Sequence, residues 1–191
     1  EPTWTSSRRV PQLRPHRHTA STKPEAHNLH PRQRNRCKEQ PMTTTVLTTT
    51  DHRGVATVTL NNPAKHNAFD DAMISALRLA FDQLRERDDV RVVVLRSDGK
   101  HFSAGADLDY MKRMATYDYG HNLHDAEMLA GMLRALYELP QPTIARIQGA
   151  ALGGAVGLVS CCDMAVATRG ASFALSEVKI GLVPATISPY V

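Results

Sequence analysis

The stretches Phe102-Ser103-Ala104-Gly105-Ala106-Asp107 and Gly149-Ala150-Ala151-Leu152-Gly153-Gly154 each follow a strand-like run and precede a helix-like run. Their residues are small, so a ligand can approach the backbone closely. A turn that opens a helix aims unpaired N–H groups outward, where the helix dipole favours negative charge. Two such turns aimed at one point would form an oxyanion hole. Glu177 follows them, in Leu175-Ser176-Glu177-Val178-Lys179-Ile180-Gly181-Leu182. A carboxylate among apolar neighbours such as Phe173, Leu175, Val178 and Ile180 is pushed toward its neutral form, which suits proton transfer near neutral pH.

Around the turns, hydrophobic periodicity predicts alternating strands and helices. Residues 54–60 alternate as a strand, and Val46–Thr50 can pair with it. Asp70 or Asp71 caps a helix predicted to reach about residue 87, with Ile74, Leu77, Phe81 and Leu84 on one stripe. Residues 90–96 form a near-continuous apolar run, the pattern of a strand covered on both faces. Residues 107–114 read as a short helix and 117–121 as a loop. Residues 123–139 read as an amphipathic helix stopped by Pro140. A buried strand at 143–147, an apolar helix from the second turn to about residue 160, and a strand at 164–168 follow. The alternation argues for α/β layering.

Charge is unevenly spread over the 191 residues. Residues 1–41 hold nine Lys and Arg against three Asp and Glu, a formal +6. Residues 42–191 therefore carry −2 of the chain's +4. The basic character belongs to a leader without periodicity or apolar clusters, which reads as disordered and foreign to the fold. This excludes a nucleic-acid reading of the folded part from overall charge. The leader lacks the apolar core of a signal peptide, and Glu1, Glu25, Glu39 and six prolines weigh against an import sequence. Met42 reads as a natural start.

No apolar run is long enough to span a membrane. Cys37, Cys161 and Cys162 have no zinc-site spacing. The adjacent Cys161 and Cys162 read as buried small hydrophobes in a reducing compartment, hence a cytoplasmic protein. His101, His121 and His124 have no metal-motif partner and read as surface residues. The second turn is not GxGxxG, and neither a P-loop nor a GxSxG elbow occurs. Residues 180–191 are apolar and stop in mid-pattern, so the chain reads as truncated.

Five ordered segments resemble the crotonase superfamily, the enoyl-CoA hydratases and isomerases. They are Asn62-Pro63-Ala64-Lys65-His66-Asn67-Ala68, the first turn with Leu108, Pro142-Thr143-Ile144-Ala145, the second turn through Gly157 with Cys162-Asp163, and residues 175–184. The resemblance implies a spiral of ββα units in 42–191, with the C-terminal helical segment missing. It implies that Ala106 and Gly154 donate oxyanion-hole N–H groups to a thioester enolate and that Glu177 moves protons. Lys65, Ala104, Ala106, Asp107 and Leu108 would lie along the coenzyme A part of the substrate. It implies neither a metal nor a separate cofactor, no membrane or nucleic-acid partner, and a homotrimer or dimer of trimers at full length.

Family hydratases carry a second glutamate where this chain has Gly157. One carboxylate is the pattern of double-bond isomerases. Yet residues 154–158, 175–182 and 187–191 resemble most the hydratases of 3-methylglutaconyl-CoA and isohexenylglutaconyl-CoA. A glutaconyl substrate brings a distal carboxylate, which could hold water where Gly157 leaves room and pair with Lys112 or Arg113. The expected function is hydration of a branched 2-enoyl-CoA. The alternatives are an isomerase, or a non-catalytic relative that binds coenzyme A or RNA.

Overall fold

The computed structural model describes residues 44–191, so the readings on the 1–41 leader and Cys37 lie outside the described residues. Strands β1 (Val46–Thr50) and β2 (Val55–Leu60) form an antiparallel pair rich in β-branched residues. β3 (Val92–Ser97), β4 (Thr143–Ile147) and β6 (Met164–Ala167) extend it in the order β1-β2-β3-β4-β6, parallel from β2 onward. Parallel neighbours need crossovers. Helix α1 (Asp71–Arg85) makes the first, and α2 (Leu108–Met114) with α3 (Tyr119–Tyr137) the second. The third contains β5 (Ala150–Leu152) and α4 (Gly154–Ser160). β5 pairs in parallel with β7 (Ser172–Ala174) in a separate two-stranded sheet.

One apolar cluster joins these elements. Val93, Leu95, Ala145 and Ile147 point from the sheet into it, with Met73, Leu77, Phe81 and Leu84 from α1 and Met132, Leu133 and Leu136 from α3. Each such side chain contributes about 1.5–3 kcal/mol of burial. Asp70 caps α1 by accepting the Met73 N–H at 2.8 Å. Residues 92 and 94 are only half-buried and every residue of β6 is exposed, so this sheet is less covered on its second face than the apolar run of β3 suggested.

Two sequence expectations need correction. Residues 117–121 are not a loop: α3 starts at Tyr119 because the Asp118 carboxylate accepts the His121 N–H at 2.8 Å. Gly120 in the first helical turn hid that start. The second glycine turn is also not only a turn, since its centre is the strand β5. Asp163, by contrast, explains its place in the pattern without any chemistry. Its carboxylate accepts the Thr143 N–H at 2.7 Å and the Thr143 hydroxyl at 2.8 Å, tying the start of β4 to the start of β6.

Helix α2 fixes the end of the first turn. Buried Asp107 caps it, accepting the N–H groups of Asp109 and Tyr110 at 2.9 Å each, and Lys65 Nζ lies 3.0 Å from Oδ2. The Tyr110 N–H and the Lys65 ammonium hold the Asp107 carboxyl below its ordinary range. A carboxyl depressed by folding adds stability above its unfolded value and loses it as the pH falls through the folded one. Asp107→Ala should therefore cost about 1 kcal/mol at neutral pH. The deficit should fade below about pH 4, and denaturant unfolding of both proteins at the two pH values would show it. A deficit that does not change with pH would refute the ionic part.

Candidate active site

Residues 62–69 brace the first turn. Asn67 is fully buried and left-handed, with φ of 54°, a conformation asparagine tolerates. Its amide donates to the carbonyls of Asp98 (2.8 Å) and His101 (3.2 Å), and its Oδ1 accepts the Asn62 N–H at 2.8 Å. The Phe69 N–H donates to Gly105 O at 2.7 Å, and the Asp107 N–H donates to Phe69 O at 2.8 Å. Ala106 lies between these two bonds, so its own N–H faces away from Phe69. Among the described residues that N–H has no acceptor.

The second turn is clamped between the first turn and β7. The Ser103 N–H donates to Ala150 O and the Leu152 N–H to Ser103 O, both at 3.1 Å. On the other side the Gly153 N–H donates to Ala174 O at 2.9 Å. Gly105, with φ of 83°, lets the two turns touch: a Cβ there would stand 2.7 Å from Leu152 O. Gly154 then opens α4 against the Phe69 ring, and its N–H also lacks an acceptor among the described residues. Two unpaired N–H groups thus flank one backbone contact, Ala106 after Gly105 and Gly154 after Gly153.

Glu177 lies in a 3-10 turn, Ser176–Ile180, just past β7. Its carboxylate rests on Gly153, where a Cβ would stand 2.9 Å from Oε1. Oε2 is buried and has no hydrogen-bond partner. The expected apolar enclosure is not what buries it: Phe173, Leu175, Val178 and Ile180 are all exposed. Gly153 of the second turn lies against the carboxylate instead.

Gly157 does not leave room for water. It is buried one turn along α4, and a Cβ there would stand 2.6 Å from Ile187 Cβ. Ile187, itself in the core, fills the place where a second carboxylate would sit. Nor are Lys112 and Arg113 unpaired. Lys112 contacts Asp109 at 3.3 Å, and Arg113 bonds Asp71 at 2.9 Å with its guanidinium 5.5 Å from the Tyr110 ring centre. Of the other sequence candidates, Lys65 is tied to Asp107, Ala104 is half-buried, and the Leu108 side chain is exposed at the start of α2.

Burial pushes the Cys161 and Cys162 thiols up to about 12, as expected of inert packing residues. His121 and His124 are exposed. His101 is not a surface residue. It is half-buried, and its Nδ1 accepts the Ala150 N–H at 3.2 Å. Its place directly before the first turn was the signal in the sequence. Among the described residues, no three His, Cys, Asp or Glu gather as metal ligands, and no helix is long and apolar enough to cross a membrane.

The chain is similar to known proteins in sequence and in fold. The model of the enoyl-CoA hydratase/isomerase family matches residues 50–191. The Bos taurus enoyl-CoA hydratase domain-containing protein 2, mitochondrial, is 37% identical over 134 residues, 70% of this chain and 44% of its own. A crystal structure of an enoyl-CoA hydratase from Shewanella pealeana ATCC 700345 has a TM-score of 0.75 at 46% identity, covering 77% of this chain and 55% of that one. An enoyl-CoA hydratase from Mycobacterium smegmatis has a TM-score of 0.73 at 40% identity, over 76% and 56%. The chain spans about half the length of the curated relatives it matches. Because the family match runs through both glycine turns and Glu177 on a shared α/β framework, the chain belongs to the enoyl-CoA hydratase/isomerase family and has its crotonase-like fold.

Proposed function

We propose that this site adds water reversibly to a branched 2-enoyl-CoA, with 3-methylglutaconyl-CoA as the model substrate. The observation that carries the reading is the Glu177 carboxylate resting on Gly153, with Oε2 buried and unpartnered beside two unpaired N–H groups. The Ala106 and Gly154 N–H groups stabilise the thioester oxygen as it gains charge, an interaction of about 3–4 kcal/mol per donor in comparable sites. Lys65, Ala104, Asp107 and Leu108 flank the coenzyme A arm. The exposed Leu108 supports this by offering apolar surface next to the turn.

With one carboxylate, Glu177 does both proton transfers. It takes a proton from water as the oxygen bonds to the β-carbon and the C=C π pair moves into the enolate. It then returns that proton to the α-carbon, restoring the thioester. Such chemistry calls for no metal or redox group. In this reading the full-length protein is a cytoplasmic homotrimer or dimer of trimers. A bovine relative is described as mitochondrial.

The Ile187 contact favours a second reading, double-bond isomerisation, because it leaves no second acid to hold water. In isomerisation Glu177 removes a proton from one carbon and returns it to another, with no net uptake of water. Mass spectrometry of the product separates the two readings, since only hydration adds one water.

Glu177→Gln should lower kcat by about 10²–10⁴-fold for either reaction, with KM for the thioester little changed. Retained turnover would remove Glu177 from the mechanism. Gly157→Glu should destabilise the protein by about 1–3 kcal/mol or more through overpacking against Ile187. Adding Ile187→Ala should recover part of that loss, and thermal unfolding of both variants would measure it. A Gly157→Glu protein as stable as the wild type would refute the packing account.

A further inference from the structure

His101 sits at the junction of the two turns. Its carbonyl accepts the Asn67 amide and the Ser97 hydroxyl, each at 3.2 Å, while its ring reaches the start of β5. A backbone N–H can only donate, so Nδ1 facing the Ala150 N–H is the acceptor and carries no proton. A Cβ at Gly149 would stand 3.0 Å from the same Nδ1, which places the ring against the second turn's first residue. The 62–69 segment brings one titratable group to it, His66, whose ring lies edge-on at 5.3 Å. Asp98 and Lys100 lie on its own loop, and Gly149–Gly154 adds no titratable group.

We propose that His101 is a positioning residue for the Ala106 and Gly154 N–H pair: its neutral ring ties the start of β5 to the first turn and so sets the spacing of the two turns. The inference rests on the oxyanion-hole reading above. β5 is only three residues long, so a single bond at its entrance has large leverage over Gly153 and Gly154. Without the ring, the part-buried Ala150 N–H loses its acceptor. A protonated ring presents a donor to a donor. Small displacements of transition-state donors cost rate more than substrate affinity.

His101→Asn keeps an acceptor near the Nδ1 position and cannot be protonated. His101→Leu keeps bulk and loses the acceptor. Both are compared with the wild type by kcat and KM for 3-methylglutaconyl-CoA at neutral pH. His101→Leu should lose at least about tenfold in kcat with KM within about threefold, and His101→Asn should stay within about threefold of the wild type. Equal kcat in the Leu and Asn variants would overturn the proposal. If the wild type turns over no enoyl-CoA, that failure belongs to the proposed activity. The tie is then read from hydrogen exchange at the Ala150 amide. Faster exchange in His101→Leu than in the wild type supports it, and equal protection overturns it.

Discussion

The approach of two backbones at Gly105 is the constraint on which the site depends. A Cβ on residue 105 would stand 2.7 Å from Leu152 O, and the φ of 83° is one that other residues adopt only under strain. Widening that contact would move Ala106 away from Gly154, because each directly follows a residue at the contact. The surrounding hydrogen bonds serve the same end. Asn67 holds the loop before the first turn, Ser103 pairs with β5, and β7 takes the Gly153 N–H. None of these groups needs to touch a substrate. They fix the directions of two amides that fold without partners, and a preorganised donor pays no reorganisation when charge develops.

Helix α4 then divides its surface among three neighbours. Gly153 carries the Glu177 carboxylate, Gly154 the Phe69 ring, and Gly157 the Ile187 side chain. The carboxylate and the isoleucine stand about one helical turn apart. The first of these places holds a carboxylate, and the second is packed with hydrocarbon. An unpaired Oε2 in a covered position is costly in a resting protein. Such a cost is ordinary where a carboxylate must exchange a proton with a ligand.

The framework was legible where one local force dominates. The stripe of α1, its Asp70 cap and the strand Thr143–Ile147 follow from periodicity and capping chemistry, which act within a few residues. The juxtaposition of the two turns and Glu177 was legible only through resemblance, since 71 positions separate Ala106 from Glu177 in the chain. Ile187 was not legible. Its contact with Gly157 spans 30 positions and depends on how residues 181–191 fold back over α4. An absent side chain in a sequence looks like space, although interiors close such gaps. His101 was missed for a related reason. A histidine beside a loop resembles a solvated one until an N–H is seen pointing at its ring.

The glycines of α4 also bear on how the site stays formed. A seven-residue helix is too short to be stable by itself, and each glycine inside a helix costs about 1 kcal/mol relative to alanine. Alanine at 157 would improve helix propensity yet collide with Ile187, and alanine at 153, the N-cap with φ of 54°, would be strained and collide with Glu177. The helix therefore persists because its neighbours hold it, through Ala155 and Leu158 in the core on one side and Phe69, Glu177 and Ile187 on the other. Local stability has been given up for close approach. It follows that the direction of the Gly154 N–H is a property of the packed assembly and not of the helix, so residues that never touch that N–H set where it points.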